Sequence, residues 1–313
     1  MEHREALLAL RTFLSTQILG QEKLIERLLI ALLADGHMLV EGAPGLAKTK
    51  AIKELAEGIE AQFHRIQFTP DLLPADITGT EIYRPETGSF VFQQGPIFHN
   101  LVLADEINRA PAKVQSALLE AMAERQVSVG RSTYELSPLF LVMATQNPIE
   151  QEGTYPLPEA QLDRFMLQIN VGYPTREEEE RIVVATTGDR DVDIRPMLSA
   201  SQLLSMQHLV RRLPAPPTVV SYAVRLARST RPDAPEATPQ VKKYVSWGAG
   251  PRASQYLILG AKARAAMDGR AVPDLEDVNA MAMPVLGHRV VLNFQAEAEG
   301  ITTDKVIAID KRP

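Results

Sequence analysis

The chain has no cysteine among its 313 residues. Disulfides and thiolate metal sites are therefore excluded, and a reducing, cytoplasmic location is expected. Aromatic residues make up only 5% and the formal net charge is −6, so there is no global basic field and no aromatic-plus-basic stripe to bind a nucleic acid. No apolar run reaches the length of a membrane span. The first sixteen residues, MEHREALLALRTFLST, repeat their apolar positions every three to four residues. A signal peptide would show a continuous apolar block and a small-residue cleavage site, so an amphipathic helix is expected there. What is present, 45% hydrophobic and 23% charged residues, suits a soluble globular chain with a sizeable core.

Helical spacing runs from Met1 to Asp35 and breaks near Ile18-Leu19-Gly20, which predicts two helices. Short apolar runs follow at His37–Val40, Phe63–Phe68, Leu101–Ala104, Leu139–Ala144 and Phe165–Val171. Runs of this kind suit strands buried on both faces of a parallel sheet. Helical patterns at Lys48–Ile59 and Pro111–Arg125 lie between them, so the first part is an α/β layer fold. Asp76–Asn100 and Gln126–Leu136 read as inserted hairpins, with turn residues between β-favouring pairs. Beyond Tyr173-Pro174 only helical segments are expected, punctuated by prolines. The expected domains are thus residues 1–173 and an all-helical 174–313.

The segment Gly42-Ala43-Pro44-Gly45-Leu46-Ala47-Lys48-Thr49-Lys50 joins a strand to a helix. In that context backbone N–H groups and a helix N-terminus form an anion cradle. Lys48 would reach the β- and γ-phosphates, and the Thr49 hydroxyl would ligate magnesium. Ala47 stands where a second glycine is usual, and it fits there if its φ is negative. Next, Leu101–Ala104 ends in Asp105-Glu106, at the sheet edge where ligands collect. Asp105 would hold magnesium, and Glu106 would orient and deprotonate the attacking water. Asn147, after Leu139–Ala144, would bond that water or the γ-phosphate, and Asn147-Pro148 also favours a turn. Arg164 is a charge donor suited to act across a subunit boundary, and Arg109 is a second candidate for an intersubunit contact. Arg252, just after Pro251, stands at a helix start, where it could report nucleotide state to a second domain.

With these segments in this order, the chain resembles the MoxR family of AAA+ ATPases. Gly42–Thr49 is similar to that family's Walker A, with alanine before the lysine. Leu103–Pro111 resembles its Walker B, Ala144–Pro148 its sensor 1, Glu159–Phe165 its arginine-finger segment and Gly250–Ala253 its sensor 2. The two hairpins match its helix-2 and pre-sensor-1 insertions. The resemblance implies an AAA+ P-loop core, an αβα sandwich on a five-stranded parallel sheet ordered 5-1-4-3-2, with a small helical lid. It implies ATP or ADP and Mg2+ as cofactors, and a hexameric ring with nucleotide between subunits. It also implies chaperone-like maturation of, or metal insertion into, a protein client, with a separate partner carrying a von Willebrand factor A domain. A nucleic-acid motor and a nucleotide-gated scaffold with slow hydrolysis are the alternatives.

Overall fold

The computed structural model describes residues 2–43, 45–147, 153–187 and 196–307. Helices Glu2–Gln17 and Glu22–Leu33 open the chain, separated by a turn at Gly20, whose φ of 74° suits glycine. Five strands follow: β1 Met38–Gly42, β2 Phe63–Gln67, β3 Leu101–Asp105, β4 Leu141–Gln146 and β5 Leu167–Val171. They form one sheet in the order β2-β3-β4-β1-β5. Parallel registers align Met38 with Met143, Leu101 with Leu141 and Phe63 with Leu101. Helices Lys48–Gly58 and Ala112–Glu124 are crossovers between these strands.

Burial follows position in the sheet. Central strands β1, β3 and β4 are buried at nearly every residue, as continuous apolar runs require. Strand β2 departs from the expected pattern: it is an edge strand on which His64, Arg65 and Gln67 are exposed and Ile66 is buried.

Both hairpins form. Gly79–Arg84 pairs antiparallel with Ser89–Gln94, and Gln126–Val129 pairs with Ser132–Glu135. The Phe92 and Tyr134 rings stack with centroids 3.9 Å apart, joining one hairpin to the other. Ile82, Tyr83, Phe90 and Val91 remain exposed on the first hairpin.

A buried histidine ties β4 to the helix Ala112–Glu124. Val142 N–H donates to His37 Nδ1 at 3.0 Å, so the ring proton sits on Nε2, which faces the Met122 carbonyl at 3.2 Å. Burial, reinforced by the charge of Arg125, lowers its pKa to about 3.

The described residues form two compact units: Met1–Leu29, His37–Arg164 and Ile169–Leu204 in one, and Ile30–Gly36, Phe165–Gln168 and Ser205–Pro313 in the other. The junction expected at Tyr173-Pro174 falls inside the first unit, whose helix Arg176–Thr186 starts with a Thr175–Glu178 capping box. The second unit is built on helices Pro217–Ser229, Pro251–Met267 and Leu275–Leu286. Prolines at the first turns of Pro217–Ser229, Pro239–Tyr244 and Pro251–Met267 explain the proline punctuation. The helical unit also carries one short strand pair. Val245–Trp247 pairs antiparallel with Val291–Leu292, because β-favouring Val245 and Trp247 follow a helix that stops at Tyr244. Among the described residues no helix is long and apolar enough to cross a membrane.

The His37 geometry sets a pH dependence. A base whose folded pKa lies below its unfolded value binds fewer protons when folded, so acid favours unfolding. His37 should cost stability as pH falls below about 6.5 toward its folded pKa of about 3, at roughly 1.4 kcal/mol per pH unit. Denaturant melts at about pH 7 and about pH 5 should show a smaller loss for His37→Gln than for the parent chain. Equal losses would remove His37 as the source.

Candidate functional site

The loop after β1 is shaped by close backbone contacts. A Cβ at Gly42 would lie 2.6 Å from the Val171 carbonyl oxygen, so only glycine fits without a shift. Gly45 takes φ 83°. Ala47 caps helix Lys48–Gly58 at φ 57°, ψ 17°. The negative φ that would have suited alanine is not adopted: the loop takes the left-handed conformation there, and the Cβ costs about 1 kcal/mol. Pro44 lies outside the described residues. Lys48 Nζ reaches back to donate to the Gly42 carbonyl at 2.7 Å. Burial lowers the Lys48 pKa, while Asp105, Glu106 and Glu41 pull it back up.

The carboxylates at the end of β3 are held by side chains from both neighbouring strands. Thr145, buried on β4, donates its hydroxyl to Asp105 Oδ1 at 2.5 Å and accepts the Glu106 N–H at 2.9 Å. Glu106 itself sits at φ 58°, a conformation that costs energy in a residue with a Cβ. Gln67 Nε2 and Arg109 Nη1 donate to Glu106 Oε2 at 2.7 and 3.0 Å. From β2, Arg65 donates to Asp105 Oδ2 through Nε at 3.0 Å and Nη2 at 2.6 Å.

Lys48, Thr49, Asp105, Glu106 and Asn147 line one cavity of about 400 Å³, with Gly45, Leu46, Ala47 and Lys50 beside them. Arg65 and Thr145 also line it, and they are the residues that sequence reasoning missed. A signal existed for the first: Arg65 and Gln67 are polar at i, i+2 on a short strand and so share one face. Thr145 lies inside the segment Ala144–Pro148, two residues before the amide of Asn147. Gly42 and Ala43 line a second cavity of about 510 Å³, which Leu46 shares with the first and which Val171 and Tyr173 close on its other side.

The remaining candidates lie elsewhere. Arg164 follows helix Glu159–Leu162, and its Nη1 donates to the Leu119 carbonyl at 2.6 Å. It is absent from the lining of the cavity. Arg109 binds Glu106 of its own chain, a cis contact that was not expected of it. Arg252 is exposed on the first turn of Pro251–Met267 in the second unit.

Residues 37–167 match the model of the ATPase family associated with various cellular activities (AAA), and residues 239–309 match the AAA lid domain. The chain is 48% identical to Chaperone MoxR1 of Mycobacterium tuberculosis over 93% of its length and 77% of that protein. The chain belongs to the MoxR family of AAA+ ATPases. Another relative is YeaC of Bacillus subtilis, 42% identical over 89% of this chain and 85% of that one. A crystal structure from Cytophaga hutchinsonii superposes with a TM-score of 0.91 at 42% identity, covering 97% of this chain and 93% of that one. Membership of the MoxR family implies nucleotide binding and an AAA core followed by a helical lid, as the fold shows.

The Thr145 bridge can be tested without substrate. Thr145→Val keeps the shape but leaves the Glu106 N–H and one Asp105 oxygen without that partner, so it should lower unfolding stability by about 2 kcal/mol. Thr145→Ser should restore most of the loss in the same thermal melt. A valine variant as stable as the parent would show that the hydroxyl does not pin the two carboxylates.

Proposed function

We propose that this chain hydrolyses ATP with magnesium and works as a subunit of a ring that remodels a protein partner. The observation that carries the hydrolytic part is the convergence of Lys48, Thr49, Asp105, Glu106 and Asn147 on a single cavity. Among the described residues no group of three or more His, Asp or Glu is placed to hold a metal. Magnesium does not need one: it binds through one or two protein oxygens, with phosphate and water filling the rest. Thr49 and Asp105 supply that hard-oxygen pair, so the residues fit the ion. Bound magnesium would neutralise charge on the phosphates.

The protein's own groups do the rest. Backbone N–H groups from Gly45 to Thr49, at the start of the helix behind them, would face the phosphates. Lys48 would exchange the Gly42 carbonyl for a phosphate oxygen, a stronger acceptor because it is charged. Glu106 would take a proton from the attacking water, and Asn147 would orient that water. For that, Glu106 Oε2 has to give up its bonds to Gln67 and Arg109. The second cavity, with the exposed ring of Tyr173 at its rim, suits the adenine base.

The ring reading is supported by where Arg164 lies. It is held on Leu119 and does not line its own cavity, and it would serve a neighbouring subunit as a charge donor. Arg252 would report nucleotide state from the lid. The paired hairpins, with Tyr83 and Phe90 exposed, suit contact with a protein client. A relative named as a chaperone supports that role. A separate von Willebrand factor A domain protein, metal insertion and hexamer formation belong to the same proposal.

Two experiments test it. Lys48→Ala should lose nucleotide binding in calorimetry, whereas Glu106→Gln should bind ATP and lose at least about a hundredfold in turnover. Binding by both variants with turnover intact would refute the hydrolytic roles. Mixed rings of Arg164→Ala and Glu106→Gln subunits should recover turnover that neither variant has alone, since one supplies the base and the other the arginine. No recovery at any mixing ratio would move the trans role away from Arg164.

A further inference from the structure

Both oxygens of Asp105, the proposed magnesium ligand, are engaged by other side chains. Thr145 donates to Oδ1, and the Arg65 guanidinium places two donors on Oδ2 at 3.0 and 2.6 Å. A magnesium ion and a guanidinium cannot share that oxygen cheaply, because two positive charges a few ångströms apart repel strongly in a partly dry pocket. The two residues also differ in freedom to move. Asp105 is 14% exposed and pinned by Thr145, while the Arg65 side chain is 49% exposed on an edge strand. The guanidinium is the group able to withdraw. Its Nη2 also donates to Gln67 Oε1 at 2.8 Å, and the Gln67 amide in turn holds Glu106.

We propose that Arg65 is a built-in cation that competes with magnesium for Asp105 and so sets how strongly nucleotide affinity depends on the metal. The inference rests on the nucleotide-binding reading of the cavity. Without the metal, Arg65 neutralises a carboxylate that would otherwise repel phosphate. With the metal, the guanidinium has to be displaced first. Each effect narrows the difference between metal-free and metal-bound affinity, and removing Arg65 widens it from both sides. The displaced arginine also breaks its bond to Gln67, so exchange at Asp105 reaches the hydrogen bonds around Glu106.

The test reads binding, not turnover. ADP affinity is measured by calorimetry with saturating magnesium and again with EDTA, and the ratio is compared between variants. Arg65→Ala should raise the ratio roughly two- to fivefold, the effect of deleting one partly exposed ion pair. Arg65→Gln keeps a hydrogen-bonding side chain without the charge, and should behave like alanine; behaviour like the parent would mean that charge is irrelevant and would overturn the proposal. In an Asp105→Asn background, Arg65→Ala should change the ratio little, because the competition has no carboxylate to act on. Melting curves of each variant establish that it is folded. A parent chain that binds no ADP would sink the nucleotide reading itself. A parent that binds, with a ratio unchanged or lowered in Arg65→Ala, would sink only the role given to Arg65.

Discussion

Parallel pairing of β3, β4 and β1 brings the strand ends at Asp105, Gln146 and Gly42 to one edge of the sheet, and the chemistry of the chain depends on that alignment. Helix Lys48–Gly58 starts from this edge. The edge strand β2 extends it, because Gln67 lies in register with Asp105. Three strands, together with the loop and helix that follow β1, therefore contribute polar groups to one cavity, while the apolar residues before them fill the core. A one-residue slip would send Thr145 and Asp105 to opposite faces.

Holding these groups costs conformational energy. Ala47 and Glu106 both adopt left-handed conformations, each at a cost of order 1 kcal/mol or more. The strain at Glu106 is matched by the Thr145 hydroxyl, which accepts its N–H and donates to its neighbour. The loop before Ala47 is confined by the contact of Gly42 with Val171. Well-packed neighbours thus keep strained residues where the phosphates and the attacking water are proposed to sit.

Charge inside the cavity is balanced by polar partners. Lys48 rests on a backbone carbonyl, Arg65 on Asp105, and Gln67 and Arg109 on Glu106. In the proposed reaction these contacts are exchanged for phosphate, metal or water. Such an arrangement favours a binding event that rearranges several hydrogen bonds together, because they share Asp105, Arg65, Gln67 and Glu106 in one chain.

Much of this was legible in the residues alone. Apolar runs and helical periods marked all five strands, the flanking helices and both hairpins, because period and turn chemistry are local properties. Lys48, Thr49, Asp105, Glu106 and Asn147 were legible because each follows a strand at the spacing its chemistry needs. The sequence did not disclose the exposure of His64, Arg65 and Gln67 on β2, the small strand pair in the second unit or the conformation of Ala47. It also hid the two side chains that hold Asp105, since Arg65 and Thr145 lie 40 residues to either side of it. Local chemistry determined which residues could act. Only tertiary structure decided which of them touch, because those contacts come from strands paired across long stretches of chain.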